Sequence, residues 1–458
     1  MLFRLGTQEA AATDDEAREM KFSRRDFHRW AGGSFAGISA LGGMPQAMSA
    51  ETGPVETMVP CRAITRGPKF HWFGYYDKRQ FDPSDRYVLA NRVGFEGRSP
   101  TGEDAITVGY VDTGDGDRWV EIGRSRAWGW QQGCMLQWVG DGGDRILWND
   151  REGDSFVCRI HSLADGSTRT IPHPIYTISN DGKVGLSVDF RRIDNLRPGY
   201  GYDGLSDPFV DRRAPAESGV WRVDLETGDS ELILSLAEVA EIPWPDGETH
   251  ADAWHYFNHL LMNPSGTRFI VLHRYRPKFD PATLEFQGGF VTRMLTANLD
   301  GSDRFILDPS GYTSHFIWKN DDQVTMWTRP EGQPNGFYRF TDRTREIVGV
   351  GHDQMPTNGH NTYLGAYGGK YRDWILNDTY PDRQTSRQTV YLYHVPTGRR
   401  FDLGHFPSPP AYRGEWRCDT HPRSNDRGDL VTIDSPHDGG RQVYLLDLRA
   451  FLAEHHAG

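Results

Sequence analysis

Four histidines in the second half of the chain stand at the same position relative to a turn. Each precedes a polar Gly/Asn/Asp turn that runs into a β-rich strand; they are His259, His315, His360 and His421. Cys418 lies three residues before the last of them. Imidazole and thiolate groups ligate Zn²⁺ and similar ions, so such residues can hold a metal if they converge. The predicted metal set is His315, His360, Cys418 and His421, for a divalent ion left open among Zn²⁺, Mn²⁺ and Ca²⁺.

A plainer interpretation of the same residues stays open. The histidines can be hydrogen-bonded fillers of a channel or solvated residues at loop edges, and Cys418 can be a buried, inert thiol. The regular recurrence of the histidines is what favours a site over this alternative.

The elements that must position these residues form a repeat. Polar turns followed by β-rich strands occupy residues 81–92, 138–150, 179–190, 262–274, 318–329, 367–378 and 424–435. The mean spacing of about 55 residues exceeds that of common propeller repeats, so some units must carry long loops. One small sheet cannot bury its own faces, so the units are expected to stack around an axis. The sequence therefore predicts an all-β fold, a seven-bladed β-propeller.

Two further expectations follow from this fold. The stretch before each turn should start the innermost strand of its blade, next to the central channel. The C-terminal strand 441–448 should pair with residues near 55–65 and close the ring. Two stacked β-sandwich domains are the alternative, although no linker or shift in composition separates two halves of the chain.

Composition sets the broad class. The chain has 458 residues, including 51 Gly, 27 Pro and 19 Tyr, a profile that suits many turns and aromatic-rich strands. A net charge of −12 provides no basic footprint, so no nucleic-acid partner is expected. Four cysteines are too few for a disulfide scaffold. The sequence has no G-x-S-x-G elbow, phosphate loop or H-E-x-x-H motif.

The N-terminus has the pattern of a targeting segment. A twin-arginine motif, 23-SRRDF-27, is followed by a weakly apolar run at 30–41 and by small residues at 47–50. Residues 1–50 are predicted to be a twin-arginine signal peptide, with 1–19 an upstream extension of a natural start at Met20, and 51–458 the catalytic propeller. The apolar run is too short and too glycine-rich to span a membrane. A periplasmic or secreted location is expected.

A basic and aromatic insertion at 191–204 is the main candidate binding loop. Arginine pairs with planar carboxylates in bidentate fashion, and tyrosine can act as an acid or base near cations. The candidates there are Arg192, Arg197, Tyr200 and Tyr202; a surface loop with ordinary salt bridges is the alternative.

Other candidates lie at the entries of the blades. Unit one opens with 71-HWFGYYDK-78, which contains His71 and Tyr76, and unit two opens with 128-WGWQQGCMLQW-138, which places Gln131 and Gln132 where later units have histidines. Unit four adds His255, His259 and Arg274. The predicted catalytic residues are His71, Arg197, Tyr200, Tyr202, His255 and His259. The predicted substrate contacts are Tyr76, Gln131, Gln132, Arg192 and Arg274.

Several of these stretches resemble one enzyme family. They are 71-HWFGYYDK-78, 195-NLRPGYGY-202, 255-HYFNHLLMNPSGTRF-269, 314-SHFIW-318, 358-NGHNTY-363 and 415-EWRCDTHPR-423. Over most of residues 67–449 the chain resembles the seven-bladed propeller polysaccharide lyases, which include oligogalacturonate lyase, ulvan lyases and rhamnose–glucuronate lyases. The resemblance implies β-elimination at a uronic acid, with a uronate-containing glycan as the partner. It also implies a channel metal held by histidines, as in the oligogalacturonate lyases, where the ion is Mn²⁺-like. The protein is expected to be a monomer.

Two other function classes stay open. A non-catalytic propeller that binds glycan or protein need not focus histidines and arginines on one face. A glycoside hydrolase needs two converging carboxylates, and the available acids, Asp77, Asp252 and Asp419, share no common register.

Overall fold

The structure is a computed structural model that describes residues 54–365 and 369–455. The predicted export signal, residues 1–50, lies outside the described residues. No helix within 54–365 or 369–455 has both the length and the apolar character needed to cross a bilayer.

Seven small sheets follow one another along the chain. Two short strands come first, β1 (Val55–Glu56) and β2 (Cys61–Ala63). Blade one has β3 (Phe70–Trp72), β4 (Tyr87–Val93), β5 (Ile106–Asp112) and β6 (Arg118–Ser125). Blade two has β7 (Gln137–Trp138), β8 (Arg145–Glu152), β9 (Ser155–Ser162) and β10 (Thr168–Ile171). Blade three has β11 (Thr177–Ile178), β12 (Val184–Ser187), β13 (Gly219–Asp224) and β14 (Ser230–Ser235).

The second half continues the same pattern. Blade four has β15 (Trp254–Met262), β16 (Arg268–Arg276), β19 (Val291–Asn298) and β20 (Phe305–Gly311), with a hairpin of β17 (Lys278–Asp280) and β18 (Glu285–Gln287) inserted between β16 and β19. Blade five has β21 (Phe316–Trp318), β22 (Gln323–Thr328), β23 (Gly336–Thr341) and β24 (Ile347–Gly349). Blade six has β25 (Thr362–Tyr363), β26 (Trp374–Asp378), β27 (Arg387–His394) and β28 (Arg399–Pro407). Blade seven has β29 (Arg423–Ser424), β30 (Leu430–Ser435) and β31 (Gln442–Asp447).

Short helices lie between or after the blades. They are α1 (Phe190–Leu196), α2 (Leu236–Ala240) and α3 (Arg449–His455), with one turn of 3-10 helix at Gly414–Trp416. Helix α1 interrupts blade three between β12 and β13, within the predicted insertion.

The ring closes as the sequence predicts. Strand β2 pairs antiparallel with β31, with Cys61 opposite Leu446 and Ala63 opposite Tyr444, so the N-terminal segment supplies the outer strand of blade seven. Strand β1 adds to blade six by pairing parallel with β28. The seven-bladed β-propeller is therefore confirmed, and two stacked sandwiches are wrong.

The predicted turn-plus-strand units correspond to the second strand of every blade. In blade four, the Asn263 side chain accepts hydrogen bonds from the backbone N–H groups of Thr267 and Arg268, at 2.9 and 3.0 Å, and so fixes the turn into β16. Polar groups at such turns satisfy their own backbone, which is why the signal is visible in the local sequence.

The apolar core lies between neighbouring blades. Leu186 of blade three shares one buried cluster with Val271 of blade four. Ile270 of blade four shares another with Met326 of blade five. Burying each such side chain contributes about 1.5–3 kcal/mol, so stacking of blades holds the inner strand of each one at the axis.

Candidate active site at the propeller axis

Every blade places at least one polar side chain at the axis. Those residues are Tyr75 and Tyr76 after β3, Gln132 before β7, Tyr176 before β11, His259 in β15, His315 before β21, His360 before β25, and His421 before β29. All are buried. They converge on the two tyrosines of blade one: ring centroids of Tyr75 lie 4.9 Å from His259 and 5.2 Å from His421, and that of Tyr76 lies 5.5 Å from His360.

One group at the axis is suited to holding a metal ion. His360, Asp419 and His421 each offer one ligand atom, and these atoms lie within 4.8 Å of one another. The Nε2 atoms of His360 and His421 lie 4.0 and 3.9 Å from Asp419 Oδ2. Both Nε2 atoms are buried without a hydrogen-bond partner. Leaving such an atom unsatisfied costs about 1–3 kcal/mol, so the pair calls for a ligand.

Asp378, at the end of β26, orients this group. Its carboxylate accepts from the His360 backbone N–H at 2.7 Å and from His360 Nδ1 at 2.9 Å. It also accepts from the Thr420 hydroxyl at 2.6 Å and from the His421 backbone N–H at 3.1 Å. Burial would raise the pKa of Asp378, but His360 and Thr420 outweigh burial and hold it below its ordinary value. The ionised carboxylate keeps the proton of His360 on Nδ1 and the lone pair of Nε2 toward Asp419.

The donor set fits a divalent metal. Two imidazole nitrogens and one carboxylate are ligands that Zn²⁺ and Mn²⁺ accept, with positions left for other ligands. Arg417 donates from Nε to Asp419 Oδ2 at 2.8 Å and so keeps that carboxylate in place. The orphaned Nε2 atoms are the observation that favours an ion at this point.

The structure brings together only part of the predicted metal set. Cys418 is buried, and burial raises the pKa of its thiol, but its sulfur is not among the three clustered ligand atoms. Asp419, the next residue, occupies that role. His315 adjoins the cluster, with its ring centroid 4.2 Å from that of His360, while its Nδ1 contacts Asn358 Oδ1 at 3.0 Å.

His259 forms a second part of the site. Its Nδ1 lies 3.1 Å from both the Tyr176 hydroxyl and Gln132 Nε2, and its Nε2 lies 3.5 Å from the Tyr75 hydroxyl. Burial and then the cations Arg274 and Arg197 hold the pKa of His259 well below 6.5. The imidazole is therefore neutral at neutral pH and can accept a proton.

The backbone at His259 is unusual for a side chain of this kind. Its φ is +53°, at a β-bulge between Asn258 and Leu260. His421 has φ +40°. The left-handed region costs a residue with a Cβ about 1–2 kcal/mol, and such strain concentrates at functional sites. Two axial histidines thus occupy positions that backbone energetics alone would give to glycine.

The predicted binding loop reaches the site through Tyr200. The Tyr200 ring lies edge-on to His259, with centroids 5.4 Å apart, and its hydroxyl accepts from Arg417 Nη2 at 2.8 Å. The Arg197 guanidinium carbon lies 4.5 Å from the Tyr200 ring centroid. Arginine and tyrosine at one edge of a histidine cluster suit an anionic ligand.

Two glycines let this loop fold back onto α1. A Cβ at Gly201 would lie 2.1 Å from the backbone nitrogen of Asp194, and Gly199 has φ +90°. The Gly199 carbonyl accepts from the Gln131 N–H at 3.1 Å, which ties the loop to blade two. The R-P-G-Y-G-Y pattern therefore builds this wall.

Three other predicted residues hydrogen-bond the site to the segments around it. Gln131 Nε2 donates to the carbonyls of Glu415 and Arg417, at 2.8 and 3.2 Å. The Tyr76 hydroxyl donates to the Phe316 carbonyl at 2.9 Å. Arg274 Nε donates to the Thr292 hydroxyl at 3.0 Å.

Four predicted residues lie apart from the cluster. His71 contacts Gln442 through Nδ1 at 2.9 Å and packs against Trp119. Tyr202 stacks on Phe190, with centroids 4.2 Å apart. The structure therefore gives His71 a place between blades and Tyr202 a place in the core.

His255 and Arg192 are the other two. His255 Nδ1 lies 2.9 Å from His273 Nε2, so it belongs to a separate pair. The guanidinium of Arg192 donates to backbone carbonyls, including that of His255 at 2.7 Å, and pairs with Asp207 at 3.3 Å. These contacts give Arg192 a structural role in the insertion.

Sequence reasoning missed several residues of the site. Asp419 had a usable signal, because it lies two residues before His421 and alternate residues of an extended chain project to one side. Tyr75 and Tyr176 resemble core aromatics in the sequence. Asp378 had no local signal, since its partners lie 18 and 42 or more positions away.

The architecture matches two solved structures of known enzymes. Oligogalacturonate lyase from Vibrio parahaemolyticus is 15% identical, with a TM-score of 0.59 over 86% of this chain and 95% of that one. The chain has the fold of the oligogalacturonate lyases. A structure of oligogalacturonate lyase in complex with manganese is 14% identical, with a TM-score of 0.58 over 88% of this chain and 96% of that one.

Other comparisons are weaker. The β-propeller domain of the trilobed protease from Pyrococcus furiosus aligns over 82% of this chain and 94% of that one, at 11% identity and a TM-score of 0.43. No family model and no curated protein matches the sequence.

Proposed function

We propose that the protein is a polysaccharide lyase that cleaves a uronate-containing glycan by β-elimination. The observation that carries the proposal is the pair of orphaned imidazole Nε2 atoms beside Asp419, next to a neutral histidine and an arginine–tyrosine wall. The similarity in fold to two oligogalacturonate lyases supports it. The substrate class is a uronate polysaccharide or oligosaccharide.

In this proposal His259 is the base that removes the proton at C5. When its Nδ1–H donates to the Tyr176 hydroxyl and that hydroxyl donates to Gln132 Oε1, the lone pair lies on Nε2. Burial and the cations Arg274 and Arg197 keep the pKa of this imidazole low, so the base is unprotonated at neutral pH.

Arg197 and Arg274 are the proposed partners of the uronate carboxylate, where enolate-like charge develops as the proton leaves. Fixed cations at that oxygen lower the barrier because they need no reorganisation during reaction. A divalent cation held by His360, Asp419 and His421 would add Lewis-acid stabilisation of the same charge.

Tyr200 is the proposed acid. Its hydroxyl accepts from Arg417, so its own proton can go to the leaving glycosidic oxygen. The alternative, a glycoside hydrolase, is less well supported by the available acids. Asp77 pairs with Lys78 at 2.9 Å, Asp252 is exposed, and Asp419 belongs to the histidine cluster.

The test is ultraviolet absorbance during incubation of the purified protein with ulvan, pectins and gum arabic. A lyase creates a C4–C5 double bond that absorbs, whereas a hydrolase produces only new reducing ends. We expect a rise with one substrate and its loss after chelation. His259→Ala should abolish the rise, and His161→Ala, on β9 where the ring contacts Thr168, should keep it. New reducing ends without absorbance would replace the lyase by a hydrolase, and neither signal would favour a binding propeller.

Export through the twin-arginine motif is part of the proposal. The support is the motif 23-SRRDF-27 and the small residues that follow the apolar run. Cell fractionation of the full chain and of an Arg24→Lys, Arg25→Lys variant tests it, because export should fail only in the variant.

A further inference from the structure

Phe290 gathers three arginines at the edge of the site. The guanidinium carbons of Arg197, Arg274 and Arg276 lie 4.4, 4.5 and 5.3 Å from its ring centroid. Phe290 lies between β18 and β19, just after two glycines, and is half-buried. No feature of the sequence singled it out.

The ring offsets an electrostatic cost. Arg197, Arg274 and Arg276 are 5%, 2% and 3% exposed, so their charges are largely removed from water while they lie close together. The face of an aromatic ring attracts a cation, and the attraction grows as the pair is removed from water. One ring shared by several guanidinium groups therefore favours a single arrangement of them.

Arg276 fixes the ring relative to the binding loop. Its Nε donates to the Leu196 carbonyl at 2.5 Å, and its Nη1 donates to the Gly288 carbonyl at 2.9 Å. Leu196 directly precedes Arg197, and Gly288 lies two residues before Phe290. One side chain thus joins the insertion of blade three to the inserted hairpin of blade four.

The two arginines that Phe290 contacts most closely are those beside His259. Both act electrostatically on that imidazole. They come from different segments, one from the loop after α1 and one from β16, so no single element sets their spacing. Phe290 is the residue that both guanidinium groups share.

We infer that Phe290, held by Arg276, is a positioning residue that sets Arg197 and Arg274 as one receptor for the carboxylate of a uronate. The inference rests on the proposed function, and it deepens it by assigning selection of the acid over the neutral sugar to this cluster. A misplacement of about 1 Å at such a receptor can cost a large factor in binding or rate.

The test compares binding of galacturonate and glucuronate with binding of galactose and glucose, by NMR titration. These monosaccharides have no glycosidic bond to cleave, so binding is measured apart from lyase chemistry. The variants are Phe290→Leu, which removes the ring, and Phe290→Tyr, which retains it. Phe305→Leu is the matched control, because Phe305 lies on β20, the outer strand of the same blade. The guanidinium carbon of Arg345 lies 5.1 Å from the Phe305 ring centroid.

The wild type should prefer the uronate over the neutral sugar. Phe290→Leu should lose about tenfold of that preference, while Phe290→Tyr and Phe305→Leu keep it. Arg276→Lys, which retains the charge but not the double contact, should show the same loss if Phe290→Leu folds poorly. Equal preference for uronate in wild type, Phe290→Leu and Arg276→Lys would overturn the inference about Phe290. The proposed lyase function would not be affected by that result. A wild type without preference for uronates would overturn it together with the carboxylate role of the arginines.

Discussion

Two pairs of buried histidines lie in this propeller, and they differ in how their nitrogens are used. His255 and His273 meet at 2.9 Å through Nδ1 and Nε2; His255 Nε2 donates to the His250 carbonyl at 3.1 Å, and Arg293 Nε donates to His273 Nδ1 at 3.0 Å. All four ring nitrogens are hydrogen-bonded. In the axial pair, His360 and His421, each Nε2 is buried without a partner.

The difference separates structure from function. A hydrogen-bonded network of neutral histidines stabilises blade four and leaves no ring nitrogen of the pair for a ligand. An unsatisfied pair costs stability unless a ligand binds, so its retention indicates a site. Burial and a lowered pKa are shared by His255 and His421, and therefore do not distinguish the two cases.

The largest expected effect comes from substituting one histidine of each pair. His360→Ala should lower lyase activity by about 1,000-fold or more and abolish metal binding, because it removes a ligand that the proposal requires. It should also lower the free energy of unfolding of the metal-free protein by about 1–3 kcal/mol, because buried Asp378 loses the Nδ1–H donor of His360. His255→Gln should retain activity and metal binding but lower the free energy of unfolding. The measurements are steady-state kinetics, metal content and urea unfolding.

The contrary outcome is specific. If His255→Gln abolished activity while His360→Ala did not, the satisfied pair would be the functional one. Unfolding measured in the same preparations separates this from a general loss of folded protein.

A smaller effect concerns the carboxylate behind the axial pair. Asp378→Asn should weaken metal binding by about 10- to 100-fold, because an amide no longer holds the His360 proton on Nδ1 as an ionised carboxylate does. Titration of the apoprotein with Mn²⁺ or Zn²⁺ measures the effect. Asp112→Asn, at a buried acid that ends β5 and pairs with Arg86, is the control and should leave metal affinity unchanged.

The sequence predicted the ring and the axial histidines because both depend on local patterns. A polar turn before each second strand repeats in every blade, and a residue just before it must lie near the axis. His255 and His259 are both predicted catalytic residues, and in a regular strand residues four apart would share a face. The bulge between Asn258 and Leu260 shifts the register by one residue and separates the two side chains.

Asp378 and Phe290 are residues that the sequence did not predict. Each acts on residues that are distant in sequence, and neither belongs to a motif that chemistry would single out. Contacts of this kind become visible only when the blades are assembled.

The pH dependence of stability tests the structural role of the hydrogen-bonded pair, His255 and His273. Burial lowers the pKa of His255 to about 4, against 6.5 when unfolded. The unfolded chain therefore binds a proton first as the pH falls, so this stability is complete above 6.5 and is lost between 6.5 and 4. From about pH 7.5 to 5 the loss from this residue should be about 2 kcal/mol. In urea unfolding, His255→Gln should lose less stability than wild type between pH 7.5 and 5, by this amount. An equal loss in both proteins would contradict the lowered pKa of His255.

The smallest effect concerns His259, which belongs to neither pair; its nitrogens face polar groups, but its strained backbone indicates function. Burial and then Arg274 lower its pKa, so Arg274→Gln should raise the pKa of His259 toward its ordinary value. A base is lost when it is protonated, so the acid limb of kcat/KM should move to higher pH in the variant. Arg345→Gln, at an exposed cation of blade five, should leave the limb in place. An unshifted limb in Arg274→Gln would mean that a group other than His259 is the base.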